Sequence, residues 1–86
     1  MKKLEKILKV FANARRLSIM EYLQRCKEAP VGRIAGEIKL SFKATSRHLN
    51  ILFASNMVER DQRDIEVYYR LSRQSSKMLK TITSIL

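Results

Sequence analysis

Lys43, Ser46, Arg47 and Asn50 recur at i, i+3, i+4 and i+7, the spacing that brings side chains onto one face of a helix. These are hydrogen-bond donors with two fixed positive charges, suited to phosphate oxygens and to the donor–acceptor pattern along base edges in a DNA major groove. Arg47 can engage guanine bidentately or clamp a phosphate. Ser46 and Asn50 can bond to base or phosphate. Ser41 stands where an N-cap is needed, and the free N–H groups of a helix start suit a phosphate. Phe42 occupies the first turn, where a polar residue is expected; it either touches a thymine methyl or packs back as a staple on the preceding helix. The other face of the same segment carries Thr45, Leu49, Leu52 and Phe53, an apolar stripe to anchor it.

The surrounding charge agrees with an anionic partner. In 86 residues, 18 are Lys or Arg and 8 are Asp or Glu, a net charge of +10, and nucleic acid is the expected partner of such an excess. The excess is weakest after residue 56, where Glu59, Asp61, Asp64 and Glu66 dilute it. Arg63 falls among those acids, at the expected tip of a turn; it either reaches the minor groove or a phosphate, or is a solvated hairpin charge. His48, beside the apolar face, reads as a partly buried histidine with its hydrogen bonds satisfied. A metal site needs more ligands than one His and one Cys, so no metal and no cofactor are expected. Cys26 is the lone cysteine, which excludes an intrachain disulfide and fits a reducing compartment. It reads as a structural or exposed thiol rather than a redox sensor. No glycine-rich phosphate loop and no paired carboxylates beside a nucleophile occur, so an enzyme is not expected. No apolar run is long enough for a membrane span, and Lys6 and Lys9 interrupt any signal-peptide core. A cytoplasmic protein starting at Met1 is the expectation.

The elements that must position this face follow from periodicity. The chain is short enough for one domain, 1–86. Leu4, Ile7, Leu8 and Phe11 mark a first amphipathic helix. Asn13 is placed to cap a second, from about Ala14 to Arg25, with Leu17, Ile19, Met20, Tyr22 and Leu23 on its buried side. Pro30 prevents helix through 27–30. A short third helix spans about Gly32 to Ile38, a tight connection follows at Lys39 and Leu40, and the fourth helix runs from about Phe42 to Ala54. Asn56 tolerates the left-handed conformation that commonly ends a helix. The period then changes to two. Val58 and Arg60, then Val67, Tyr69 and Leu71, predict two strands joined by a turn around Asp61, Gln62, Arg63 and Asp64. Ser72 or Ser75 is placed to cap a last helix carrying Met78, Leu79, Ile82, Ile85 and Leu86. The fold class is mainly α with a small β-hairpin, a winged helix-turn-helix in the order α-α-α-α-β-β-α.

With these elements in place, the stretch Leu8 to Leu23, LKVFANARRLSIMEYL, together with Leu40 to Val58, LSFKATSRHLNILFASNMV, and Val67 to Leu71, VYYRL, resembles the ArsR family of arsenic-repressor-like winged-helix transcription regulators. The resemblance covers most of the chain. It implies a homodimer joined through the first and last helices, here Leu4, Ile7, Leu8 and Phe11 with Met78, Leu79, Ile82 and Ile85. It also implies a repressor that releases DNA on a signal. The chain departs from the family in three places. Metal-sensing members carry cysteines near the start of the third helix or Asp and His pairs in the last one; this chain has Ala29, Pro30, Val31, Gly32 and Arg33 in the first region and no Asp, Glu, His or Cys after Ser72. Asn56 stands where glycine is common. Residues 61–65 lack the usual wing glycine. A dimeric, sequence-specific duplex-DNA-binding repressor that does not sense metal is therefore expected, with any small-molecule effector unassigned. A winged-helix protein-interaction module with only non-specific nucleic-acid binding is the alternative. Single-strand binding is less supported, because the fourth helix lacks stacking aromatics on its polar face.

Overall fold

The computed structural model describes residues 2–85. Met1, and Leu86 at the end of the expected apolar stripe, lie outside the described residues. Helix α1 spans Lys2–Phe11 and α2 Ala14–Cys26; a two-residue strand β1, Ala29–Pro30, precedes α3, Val31–Ile38; then come α4, Phe42–Ala54, the strands β2, Val58–Arg63, and β3, Glu66–Leu71, and finally α5, Arg73–Ile85. The expected order holds apart from β1. This strand pairs antiparallel with β3, Ala29 opposite Tyr69 and Pro30 opposite Tyr68, making a three-stranded sheet in the order β1-β3-β2. Pro30 is tolerated because β1 lies at an edge, where one side of the strand needs no ladder bonds.

Local capping fixes the helix boundaries. The Asn13 side chain accepts the Arg16 N–H at 3.1 Å, and the Ser41 hydroxyl accepts that of Ala44 at 3.1 Å. Ser72 rather than Ser75 caps α5, its Oγ accepting the Ser75 N–H at 3.1 Å. Lys39 adopts a left-handed conformation, φ 57°, at the end of α3, and the chain turns there into α4. Asn56, also left-handed at φ 59°, closes α4. Its N–H bonds to the Phe53 carbonyl, and the Met57 N–H reaches the Leu52 carbonyl at 2.8 Å. This paired closure satisfies carbonyls the helix end would otherwise leave free. Met57 and Leu52, bracketing it, are both buried.

The core is one cluster to which every helix contributes. Ile19, Met20 and Leu23 of α2, Ile34 of α3, and Leu49 and Leu52 of α4 are at most 1% exposed. Val10, Phe11, Val58, Tyr69 and Leu79 complete it. Thr45 is buried on the same side of α4; its hydroxyl donates to the Ser41 carbonyl at 2.8 Å, so burial leaves no hydroxyl unpaired. Phe53 departs from the expected stripe. It is 39% exposed, and its ring lies under the guanidinium of Arg60, 3.8 Å from the ring centroid.

Candidate nucleic-acid interface

Helix α4 is anchored on one side only. With Thr45, Leu49 and Leu52 buried, the 3.6-residue period turns Phe42, Lys43, Arg47 and Asn50 to solvent, with Ser46 half-buried between them. The structure thus brings six of the seven expected contact residues, Ser41 to Asn50, onto one exposed surface at the start and outer face of α4. Phe42 is 63% exposed. The staple on α3 is not formed, which leaves its ring free for an apolar contact.

Arg63 is elsewhere and otherwise engaged. The turn between the strands is Asp64 and Ile65, with Asp64 left-handed at φ 56°. The expected position of Arg63 at the tip is therefore corrected: it is the last residue of β2, opposite Glu66. Its Nη1 and Nη2 donate to the two carboxylate oxygens of Glu28 at 2.6 and 2.9 Å, its Nε donates to Asp61 at 2.9 Å, and it stacks on Tyr68. Arg70 joins Asp61 at 2.7 Å and Glu59 at 3.1 Å. The hydrogen bond from Arg63 holds the Glu28 carboxyl below its usual range, and that from Arg70, then that from Arg63, does the same for Asp61. Three carboxylates thus enclose two guanidinium groups on the outer face of the hairpin.

The inner face of the wing holds a residue that the sequence reading left without a role. Arg60 pairs in register with Tyr69. Its Nη1 lies 3.4 Å from Asn50 Oδ1 and 3.5 Å from the Tyr69 hydroxyl. It has no carboxylate partner among the described residues. The available signal was register: Arg60 shares the Val58 face of β2, and strand alternation directs it toward α4.

His48 is half-buried, as expected, but its hydrogen bonds are not satisfied: Nδ1 is buried without a partner. Burial lowers its pKa, with further lowering by Arg16, Arg47 and Arg15. Cys26 is half-buried, its thiol 3.5 Å from the Glu28 carbonyl. Among the described residues no group of three or more His, Cys, Asp or Glu side chains converges as metal donors do, and no helix is long and apolar enough to cross a membrane.

The residues expected to meet a second copy divide into two sets. Phe11 and Leu79 are 6% and 2% exposed and belong to the core of their own chain, a correction to the expectation that the whole of each stripe faces a partner. Leu4, Leu8, Ile82 and Ile85 remain exposed, and Ile7 and Met78 are partly buried against the core.

A helix-turn-helix of α3 and α4, followed by the β2–β3 hairpin and flanked by α1 and α5, defines a winged helix-turn-helix protein. The family model of bacterial regulatory proteins of the arsR family matches residues 13–60, and the chain belongs to that family. NolR from Sinorhizobium fredii is similar over 98% of this chain and 84% of its own, at 32% identity and a TM-score of 0.87. HlyU, a transcriptional regulator from Vibrio vulnificus CMCP6, is 34% identical over 98% of this chain and 88% of its own, with a TM-score of 0.83. The homodimeric winged helix-turn-helix DNA-binding domain of Mb0332 from Mycobacterium bovis shares the fold, with a TM-score of 0.91 at 24% identity over 98% of this chain and 78% of its own. No curated protein sequence matches the chain. Family and fold are those of DNA-binding transcription regulators, a class distinct from enzymes.

Proposed function

We propose that the chain is a sequence-specific repressor that binds duplex DNA as a homodimer, laying the exposed face of α4 in the major groove. The observation that carries this reading is the division of α4 itself: Thr45, Leu49 and Leu52 are fully buried while Phe42, Lys43, Arg47 and Asn50 face outward. In this reading Arg47 and Asn50 contact base edges, Lys43 and Ser46 contact base or phosphate, and Phe42 meets a thymine methyl. Ser41 and the first N–H groups of α4 receive a phosphate. Arg60 braces Asn50 from the wing and adds a phosphate contact. Arg63 supplies little, because Glu28 and Asp61 already offset its charge.

Dimerisation draws support from Leu4, Leu8, Ile82 and Ile85, apolar side chains left exposed on the two terminal helices, and from the homodimeric Mb0332 domain. A two-fold dimer places its recognition helices about one DNA turn apart, roughly 34 Å. Selection of bound duplexes from a random pool tests the reading. Enrichment of a palindrome with half-sites one turn apart is expected. Retention without an enriched motif would favour the alternative, a protein-interaction module with general affinity for nucleic acid.

A further inference from the structure

A basic recess lies away from α4. One wall is α5, where Arg73, Ser76, Lys77 and Lys80 line up at i, i+3, i+4 and i+7; the other is the end of α2, with Gln24 and Lys27; Leu23 and Leu71 form the floor. The recess is open and encloses about 530 Å³, within the range of small-molecule sites, ~300–1,000 Å³. No residue of α3 or α4 lines it.

Its charges are uncompensated. Arg70, at the rim, is held by Glu59 and Asp61, and Glu28, next to Lys27, is held by Arg63. Among the described residues, Lys27, Arg73, Lys77 and Lys80 have no ion-pair partner. The Gln24 amide and the Ser76 hydroxyl make no hydrogen bond within the described chain and are available to a ligand. Four like charges around one concavity repel one another and focus a positive potential into it.

We propose that this recess binds a small anion carrying two or more linked phosphates, of the nucleoside-polyphosphate or inorganic polyphosphate class. One phosphate would meet only part of the cationic rim, whereas a linked chain spans Lys27 on one wall and Lys77 and Lys80 on the other. The half-buried Leu71 offers a nucleoside's ring system an apolar contact. The exposed apolar residues of α5, Ile82 and Ile85, occupy a different face from the basic row, so a second copy seated there leaves the recess open.

The test is calorimetric titration of the full chain with sodium tripolyphosphate, ATP and AMP near 0.15 M salt. Saturable binding of tripolyphosphate and ATP at one site per chain is expected, with AMP weaker by about tenfold or more. ATP binding more tightly than tripolyphosphate identifies the nucleoside class, and equal affinity the inorganic one. The K77Q/K80Q variant should lose about tenfold or more, while K2Q/K3Q, which removes the same charge from α1, stays within about twofold. Equal losses in the two variants, or absence of saturation, overturns the proposal. Amide chemical shifts of the unmodified chain give a second reading: changes centred on Lys27 and residues 73–80 are expected, and changes centred on residues 41–50 would assign the anion to the DNA face instead.

Discussion

The guanidinium of Arg63 forks onto the carboxylate of Glu28, Nη1 to Oε1 at 2.6 Å and Nη2 to Oε2 at 2.9 Å. This contact ties the end of β2 to the segment between α2 and β1, 35 residues earlier in the chain. It also removes from the wing the one cation that the sequence placed nearest its tip. Arg63→Ala should therefore change duplex affinity by less than about twofold, although an arginine free to meet a phosphate contributes roughly one to the slope of log affinity against log salt. Glu28→Gln loosens the fork and should steepen that slope. Fluorescence anisotropy across a salt series measures both.

His48 gives the fold a pH dependence near neutrality. Burial, then the charges of Arg16, Arg47 and Arg15, lowers its pKa from the ordinary 6.5, so the unfolded chain binds the proton more readily than the folded one. The stability linked to neutral His48 is present above pH 6.5 and lost as the pH falls through the lowered folded value. Glu28 and Asp61 act in the same direction but in a separate window, below their ordinary values of 4.5 and 3.8. Urea denaturation at several pH values should show a decline below pH 6.5 that His48→Gln abolishes, with the acid-side decline retained.

Asn56 is the hinge between α4 and the wing. Its φ of 59° is reached freely by Gly, which has no Cβ, and more readily by Asn, whose short polar side chain can bond locally, than by most other residues. Asn56→Ala should destabilise by about 1 kcal/mol, in line with the general cost of the left-handed region. Asn56→Gly should stay within about 0.5 kcal/mol of the parent, because glycine's freer unfolded chain offsets its easier fit. Thermal or urea unfolding of the two variants checks the order.

The exposed residues of the terminal helices give a prediction on assembly. Leu8→Glu and Ile82→Glu alter side chains outside the buried core, so each chain should keep its helical circular dichroism. Sedimentation at micromolar concentration should show a dimer for the parent and a monomer for the double variant. A monomeric parent would remove the dimer from the proposal.

Much of this was legible because it is locally encoded. Helix α4 and its cap follow from Ser41 and from the helical spacing of Thr45, Leu49 and Leu52 on one face and of Lys43, Ser46, Arg47 and Asn50 on the other. The same is true of α2 behind Asn13. What escaped depends on residues distant in sequence. Strand β1 is two residues long and exists only through pairing with Tyr68 and Tyr69. The uniformly polar run 61–64 suggests a turn that begins at Asp61; the strand instead continues to Arg63, because Arg63 and Arg70 pair with Asp61, Glu59 and Glu28, and of this run only Asp64 belongs to the turn. Phe53 was assigned to the core on period alone, but the Arg60 guanidinium above its ring supplies a cation–π contact at the surface. Phe11 and Leu79 were assigned to a partner because a helical stripe does not itself say which of its positions face the chain's own core.

The central claim is that the outer face of α4 reads sequence, and Arg47 tests it most directly. Its side chain is exposed and makes no hydrogen bond or ion pair among the described residues, so Arg47→Ala should leave folding intact. Affinity for a selected duplex, measured near 0.15 M salt against excess random DNA, should fall by about 1–3 kcal/mol, while binding to the random DNA falls much less. Equal losses on selected and random DNA, or no loss on either, would contradict the claim.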